Sequence, residues 1–169
     1  TVVEIAPEVH AVAHQYFRLP DEGERLEVHI GDGAEFVQDD PRQWDLIAVD
    51  GFDRHARAGA LATQPFYAAC RGRLAADGIL SVNLFGQLRG FKTQLQRLRK
   101  AFDGQVLDLP ECDSGNVVAL ASPAAAQSFD LATLKSRAAN LKAVTGLDLL
   151  PTLRRLEKSG ACPDGSVRL

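Results

Sequence analysis

The sequence contains no methionine, a single tryptophan and only three cysteines in 169 residues. Cys70, Cys112 and Cys162 lie far apart and form no C-x-x-C or Cys/His ligand spacing, so neither a disulfide framework nor a zinc site is expected, and a reducing cytoplasm fits best. No segment approaches the ~18 consecutive apolar residues of a membrane span, and the amino terminus lacks the basic and apolar regions of a secretory signal, so no membrane contact is expected. The nucleophile elbow G-x-S-x-G and the P-loop are also absent. A formal net charge of −3 gives no basic footprint for nucleic acid, despite the local cluster Arg97, Arg99 and Lys100. The missing initiator, with "TVVEIAPEV" opening inside a strand-like run, points to the later part of a longer protein.

What is present is an ordinary globular balance, 46% hydrophobic and 24% charged, enough for one domain with a substantial core. The β-branched opening "TVVEI" reads as a strand. Pro7 then starts a helix that puts Val9, Val12, Ala13 and Tyr16 on one stripe. "RLEVHI" alternates apolar residues at period two and ends at "GDG", and "AEFVQDD" reads as a short helix. "WDLIAVD" is a nearly continuous apolar run, the pattern of a central strand buried on both faces. A helix over "ATQPFYAACRGRLAADG", closed by Gly78, leads to the strand "ILSVNLF". After the helix "FKTQLQRLRKAF" come two late strands, "VLDLP" and "NVVALAS". The alternation predicts an α/β fold with a mostly parallel sheet, and the last two strands are too close for a crossover, so they form an antiparallel hairpin. The tail from Ser128 to Leu156 reads as helical, with Leu131, Leu134, Ala138 and Leu141 on one face. It either covers the sheet or packs against a second copy of the chain in a homodimer.

In an open α/β sheet ligands bind beyond the carboxyl ends of the strands, and the polar residues expected there are Glu4, Asp32, Asp50, Asp53 and Asn83. Glu4 ends the first strand, where a carboxylate can accept two hydrogen bonds from a ribose diol, or simply be an exposed strand-end acid. Asp32, between two glycines, sits where backbone can approach a ligand closely; its carboxylate could accept from an adenine amino group, or the "GDG" is only a turn. Asp50 emerges directly from "LIAV". A carboxylate there can take a proton from an amine poised to attack, and with Asp53 it makes a field that attracts a cation; the ordinary alternative is a helix cap or a solvated loop. His10, His14, His29 and His55 show no nucleophile partner, and His10 with His14 reads as a helix face rather than a metal pair.

Taken in order, "VVEIAPEVHAVAHQYF", "LEVHIGDGAEFV", "WDLIAVDGFD" and "TQPFYAACRGRLAADGILSVN" resemble the polyamine aminopropyltransferases, the spermidine synthase family, from Thr1 to about Asn83, with a weaker match at "CDSGNVVALAS". The resemblance implies a Rossmann-like S-adenosylmethionine-dependent methyltransferase fold, with the first strand and its glycine-rich loop preceding Thr1. It divides the chain into a nucleoside-binding domain over 1–125, incomplete at its amino terminus, and a helical extension of the same domain over 126–169. It implies transfer of an aminopropyl group from decarboxylated S-adenosylmethionine to putrescine or another small-molecule amine, with no metal. Glu4 would hold the ribose and Asp32 the adenine, with Gly33 and Ala34 adjoining the ring. Asp50 would be the catalytic base and Asp53 the acid holding the second substrate's amine. The chain departs from the family in having "DGFDRH" for the usual "DSSDP", with Phe52, Arg54 and Arg57 near the acceptor's place, and Asn83 where glutamine is more usual. The alternatives are an S-adenosylmethionine-dependent methyltransferase of the same fold and a non-catalytic relative used for partner binding.

Overall fold

The β-branched segments at Val2–Glu4 (β1) and Val28–Ile30 (β2) pair in parallel, with Glu4 opposite Ile30. The computed structural model describes residues 1–86 and 90–169. Helix α1 (Pro7–Phe17) begins on its proline, which gives up no intrahelical bond at that position, and it joins β1 to β2. Its apolar stripe is present as predicted but faces outward: Val9, Val12, Tyr16 and Phe17 are exposed and no residue of the helix is buried. Helix α2 (Gly33–Asp39) starts at Asp32, and β3 (Trp44–Val49) follows.

After a short 3₁₀ turn at Gly59–Ala62 come α3 (Gln64–Arg73), β4 (Leu74–Phe85), α4 (Phe91–Ala101), β5 (Val106–Asp108) and β6 (Asn116–Ala121). The element order is the one expected. These strands form a sheet in the order β3-β4-β6-β5, in which β3, β4 and β5 run one way and β6 alone runs against them. The mostly parallel sheet with a late antiparallel hairpin is therefore present.

One face of β4, at Leu80, Val82 and Leu84, is buried with Ala119 and Ala121 of β6 under Phe66, Tyr67 and Cys70 of α3 and Leu95 and Leu98 of α4. Fully burying each large apolar side chain contributes about 1.5–3 kcal/mol, which makes β4 the firmly held strand. Burial also pushes the Cys70 thiol up to about 12, so it packs as an apolar group.

Among the described residues no strand pairs with the outer side of β3, and Leu46 there is 60% exposed. Two expectations are corrected. First, α3 ends at Arg73, short of Gly78. Leu74 is drawn into extended pairing with Trp44, while the Arg73 guanidinium bonds the carbonyls of Val37 and Gln38. Second, the tail is not wholly helical. It contains β7 (Ser128–Asp130), α5 (Leu131–Thr145), α6 (Leu150–Lys158) and β8 (Ser166–Arg168), with β7 and β8 paired antiparallel. Gly146, in the left-handed region, stops α5, and α6 restarts at Leu150 with Pro151 in its first turn. Leu131, Leu156 and Val167 form a small second core, joined to β5 through Leu107 and Leu109.

Gly78 has a different task from the one predicted. A β-carbon there would stand 2.8 Å from the Trp44 carbonyl oxygen and 3.0 Å from backbone atoms of Ala75, at the irregularity where β3–β4 pairing shifts between Trp44 and Leu46. These obstacles are backbone and cannot rotate away. Gly78→Ala is expected to destabilise the protein by about 2 kcal/mol or more, read as a lower urea midpoint; an unchanged midpoint would show that the ladder yields there at no cost.

Candidate active site

Pairing of β1 with β2 brings Glu4 and Asp32 to one end of the two strands, where the Gly31 N–H bonds the Glu4 carbonyl at 2.9 Å. Each carboxylate spends one oxygen on its own turn. Glu4 Oε1 accepts from the Ala6 N–H at 2.8 Å, and Asp32 Oδ1 accepts from the Ala34 N–H at 2.7 Å, capping α2. The second oxygen of each has no hydrogen-bond partner among the described residues. Two half-buried acceptors at the end of a short parallel pair, beside the uncapped backbone of Gly33, suit the hydroxyl and amino donors of a nucleoside.

The second group of residues lies at the mouth of β3 and β4. Val49 and Val82 are the last residues in register, and directly beyond them the Asn83 Nδ2 donates to Asp50 Oδ1 at 2.9 Å. An ionised carboxylate only accepts, so the amide must present its nitrogen to Asp50, which turns Asn83 Oδ1 the other way. That oxygen is buried and has no partner among the described residues. Asp50 Oδ2 is thus left as the acceptor at this mouth, while Asn83 Oδ1 is enclosed by the protein.

Two residues further along each chain, Phe52 and Phe85 meet with ring centroids 4.5 Å apart. Asp53 is held by its own loop: Oδ1 accepts from the backbone N–H of His55 at 2.8 Å and of Arg57 at 3.0 Å. Its Oδ2 takes the Arg57 guanidinium at 2.8 and 2.9 Å. The guanidinium and these N–H bonds favour the charged form and hold the Asp53 carboxyl at about 2.

The two groups are connected by Leu61, on the 3₁₀ turn. Its Cδ2 lies 3.7 Å from where a β-carbon on Gly33 would stand, and its Cδ1 only 2.5 Å from that of Gly51. The structure therefore brings Asp32 with Gly33 and Ala34, and Asp50 with Asn83, to either side of one leucine. Sequence reasoning missed Leu61 and Phe85. The period-two step from Asn83 to Phe85 could have revealed the phenyl ring; nothing local marks Leu61. His10 and His14 on α1 approach to 3.0 Å through their Nε2 atoms, and no group of three potential metal ligands occurs among the described residues. No helix among them is long and apolar enough to cross a membrane.

A family model described as the spermine/spermidine synthase domain matches residues 1–117. The polyamine aminopropyltransferase of Neisseria meningitidis serogroup A is 37% identical over 159 residues, covering 94% of this chain and 60% of that protein. Its counterpart from Chromobacterium violaceum is 32% identical over 157 residues, 93% of this chain and 60% of that protein. The chain spans 60% of the length of these curated relatives. A crystal structure of spermidine synthase with the transition-state analogue AdoDATO superposes at a TM-score of 0.62 and 27% identity, over 72% of this chain and 45% of that one. Human methyltransferase-like protein 13 with SAH superposes at 0.68 and 21% identity, over 93% and 68%, a likeness of fold alone. The chain has the α/β fold of the S-adenosylmethionine-dependent methyltransferases.

The Leu61 contact is testable by stability. Gly51→Ala forces Leu61 aside and is expected to cost about 1–3 kcal/mol in denaturant unfolding. In a Leu61→Ala background the same substitution should cost at least ~1 kcal/mol less; strictly additive losses would show that the two residues do not touch.

Proposed function

Since the chain belongs to the spermine/spermidine synthase family, we propose that it serves transfer of an aminopropyl group from decarboxylated S-adenosylmethionine to an amine, with Asp50 as the base. The observation that carries this reading is the Asp50–Asn83 pair at the mouth of β3 and β4. Glu4 and Asp32, each with an uncommitted oxygen, hold the nucleoside's hydroxyls and adenine amino group, and Gly33 and Ala34 adjoin the ring. Residues 1–125 then form the nucleoside-binding unit. Three free cysteines suit a reducing cytoplasm.

The chemistry follows from the needs of an amine nucleophile. Free alkylamines hold their extra proton up to a pKa of about 10, so the amine must arrive neutral or be stripped in the site. Asn83 fixes one oxygen of Asp50 by its N–H, leaving Oδ2 to face the amine. The amine lone pair forms a bond to the propyl carbon attached to the sulfonium. The carbon–sulfur bond breaks with its electrons going to sulfur, which leaves as the neutral thioether methylthioadenosine. The amine's surplus proton passes to Asp50. The sulfonium already activates the carbon, so the residues have only to orient the amine and take its proton.

Asp50→Asn in the full-length protein is expected to lower the rate of methylthioadenosine release about 10²–10⁴-fold, with donor affinity kept within a few fold. Undiminished turnover would remove Asp50 as the base. Release of S-adenosylhomocysteine from S-adenosylmethionine instead would assign the chain to methyl transfer.

A further inference from the structure

We propose that the acceptor amine is a primary monoamine with an apolar tail, not a diamine with a second ammonium. This rests on the aminopropyl-transfer reading and deepens it at the same site. It starts from the carboxylate that a diamine would need.

Asp53 is the acid placed to take an acceptor's far end, and it is already satisfied. Both of its oxygens are committed: Oδ1 to the N–H groups of His55 and Arg57, and Oδ2 to the Arg57 guanidinium. The loop closes on itself as well, through the Asp53 N–H to the Arg57 carbonyl and the Ala56 N–H to the Asp53 carbonyl, each at 2.9 Å. The guanidinium is exposed, and an exposed ion pair alone is weak. If Arg57 swung away, however, Oδ1 would still be held by two backbone donors. An incoming ammonium would gain one oxygen while remaining beside the positive charges of Arg57 and Arg54. Glu111, the other acid near this end, with Oε2 3.0 Å from where a β-carbon on Gly86 would stand, is engaged as well.

The surface next to the base has the opposite character. Asn83 and Phe85 lie on the same face of β4, and in the loop after β3 Phe52 meets Phe85 as Asp50 meets Asn83. The two half-buried rings, tilted at 48°, therefore form the next layer outward from the Asp50–Asn83 pair. An apolar chain extending outward along this face from an amine on Asp50 would lie against phenyl carbon. Each methylene buried there is worth about fourfold in affinity, whereas a second ammonium would have to shed water beside an Asp53 carboxylate whose oxygens are already committed.

The test uses the full-length protein with decarboxylated S-adenosylmethionine, following methylthioadenosine release with pentylamine, 2-phenylethylamine and putrescine. At least one monoamine is expected to exceed putrescine at least tenfold in kcat/KM. Phe85→Ala should lower the monoamine value about tenfold, and Arg57→Gln, which frees Asp53, should raise the putrescine-to-monoamine ratio at least threefold. A putrescine value within tenfold of the monoamines or above them, or a ratio that Arg57→Gln does not move, overturns the acceptor class while leaving aminopropyl transfer standing. No methylthioadenosine with any amine overturns both.

Discussion

Parallel pairing of Ile47, Ala48 and Val49 with Leu80, Ser81 and Val82 delivers two chains to the same mouth in step, and every contact at the candidate base depends on it. Side chains alternate along a strand, so slipping this pairing by one residue would turn Asp50 and Asn83 to opposite faces. The register is not continuous from the start of the strands. Trp44 pairs with Leu74 but Leu46 with Ile79, and the slack is taken up around Gly78, whose backbone lies against the Trp44 carbonyl. The irregularity sets which residues of β3 share a face with the core residues of β4: Ile47 and Val49 lie inward, and Leu46 is left outside. Because Leu80, Val82 and Leu84 are locked under α3 and α4, Asn83 inherits the rigidity of the core and can hold Asp50 in one orientation.

Among the described residues the candidate base and the candidate nucleoside-holding acids lie on separately paired strands, β1 with β2 and β3 with β4. Packing relates the two groups. Leu61 stands close to where β-carbons on Gly33 and Gly51 would lie, so a side chain at 51 would require the leucine to shift. Ala34 and Val37 of α2 share the core with Phe66, Tyr67 and Cys70 of α3, and Arg73 bonds the carbonyls of Val37 and Gln38. The spacing of the two candidate groups thus rests on packed side chains, which are stiffer than a hydrogen bond across a loop.

Most of the fold could be read from local pattern. The opening strand, Pro7 at the helix start, "GDG" before a short helix and the late hairpin all depend on residues close in sequence, and the structure places them as expected. Helix α4 likewise forms where its sequence predicts and buries Leu95 and Leu98. The readings that failed depended on what lies across space. The apolar sequence around Ala75 and Ala76 supports a continued helix until Leu74 pairs with Trp44. Helical periodicity from Ser128 onward hid β7, three residues long and dependent on a partner strand nearly forty residues away. At the site, the strand-end acids were legible from position alone, but the Leu61 contact was not, because its two partners come from different strand ends.

Asp50 and Asp53 show how little residue type says about role. Both are aspartates on one loop, and both leave the end of the same strand. Asp50 is held by a single neutral amide, which orients one oxygen and leaves the other available. Asp53 is satisfied by two backbone donors and a guanidinium, and its depressed pKa records how strongly those partners favour the charged form. A proton acceptor must keep an oxygen for its substrate, so the first arrangement can do base chemistry. The second exists to shape a turn that also holds Ala56 in the left-handed region. Under the proposed function, change at Arg54, His55 and Arg57 alters what the mouth accepts without disturbing the strand that presents Asp50. Choice of acceptor and competence to react are then physically separable: the first depends on an exposed, self-bonded loop, the second on a strand end held by the core.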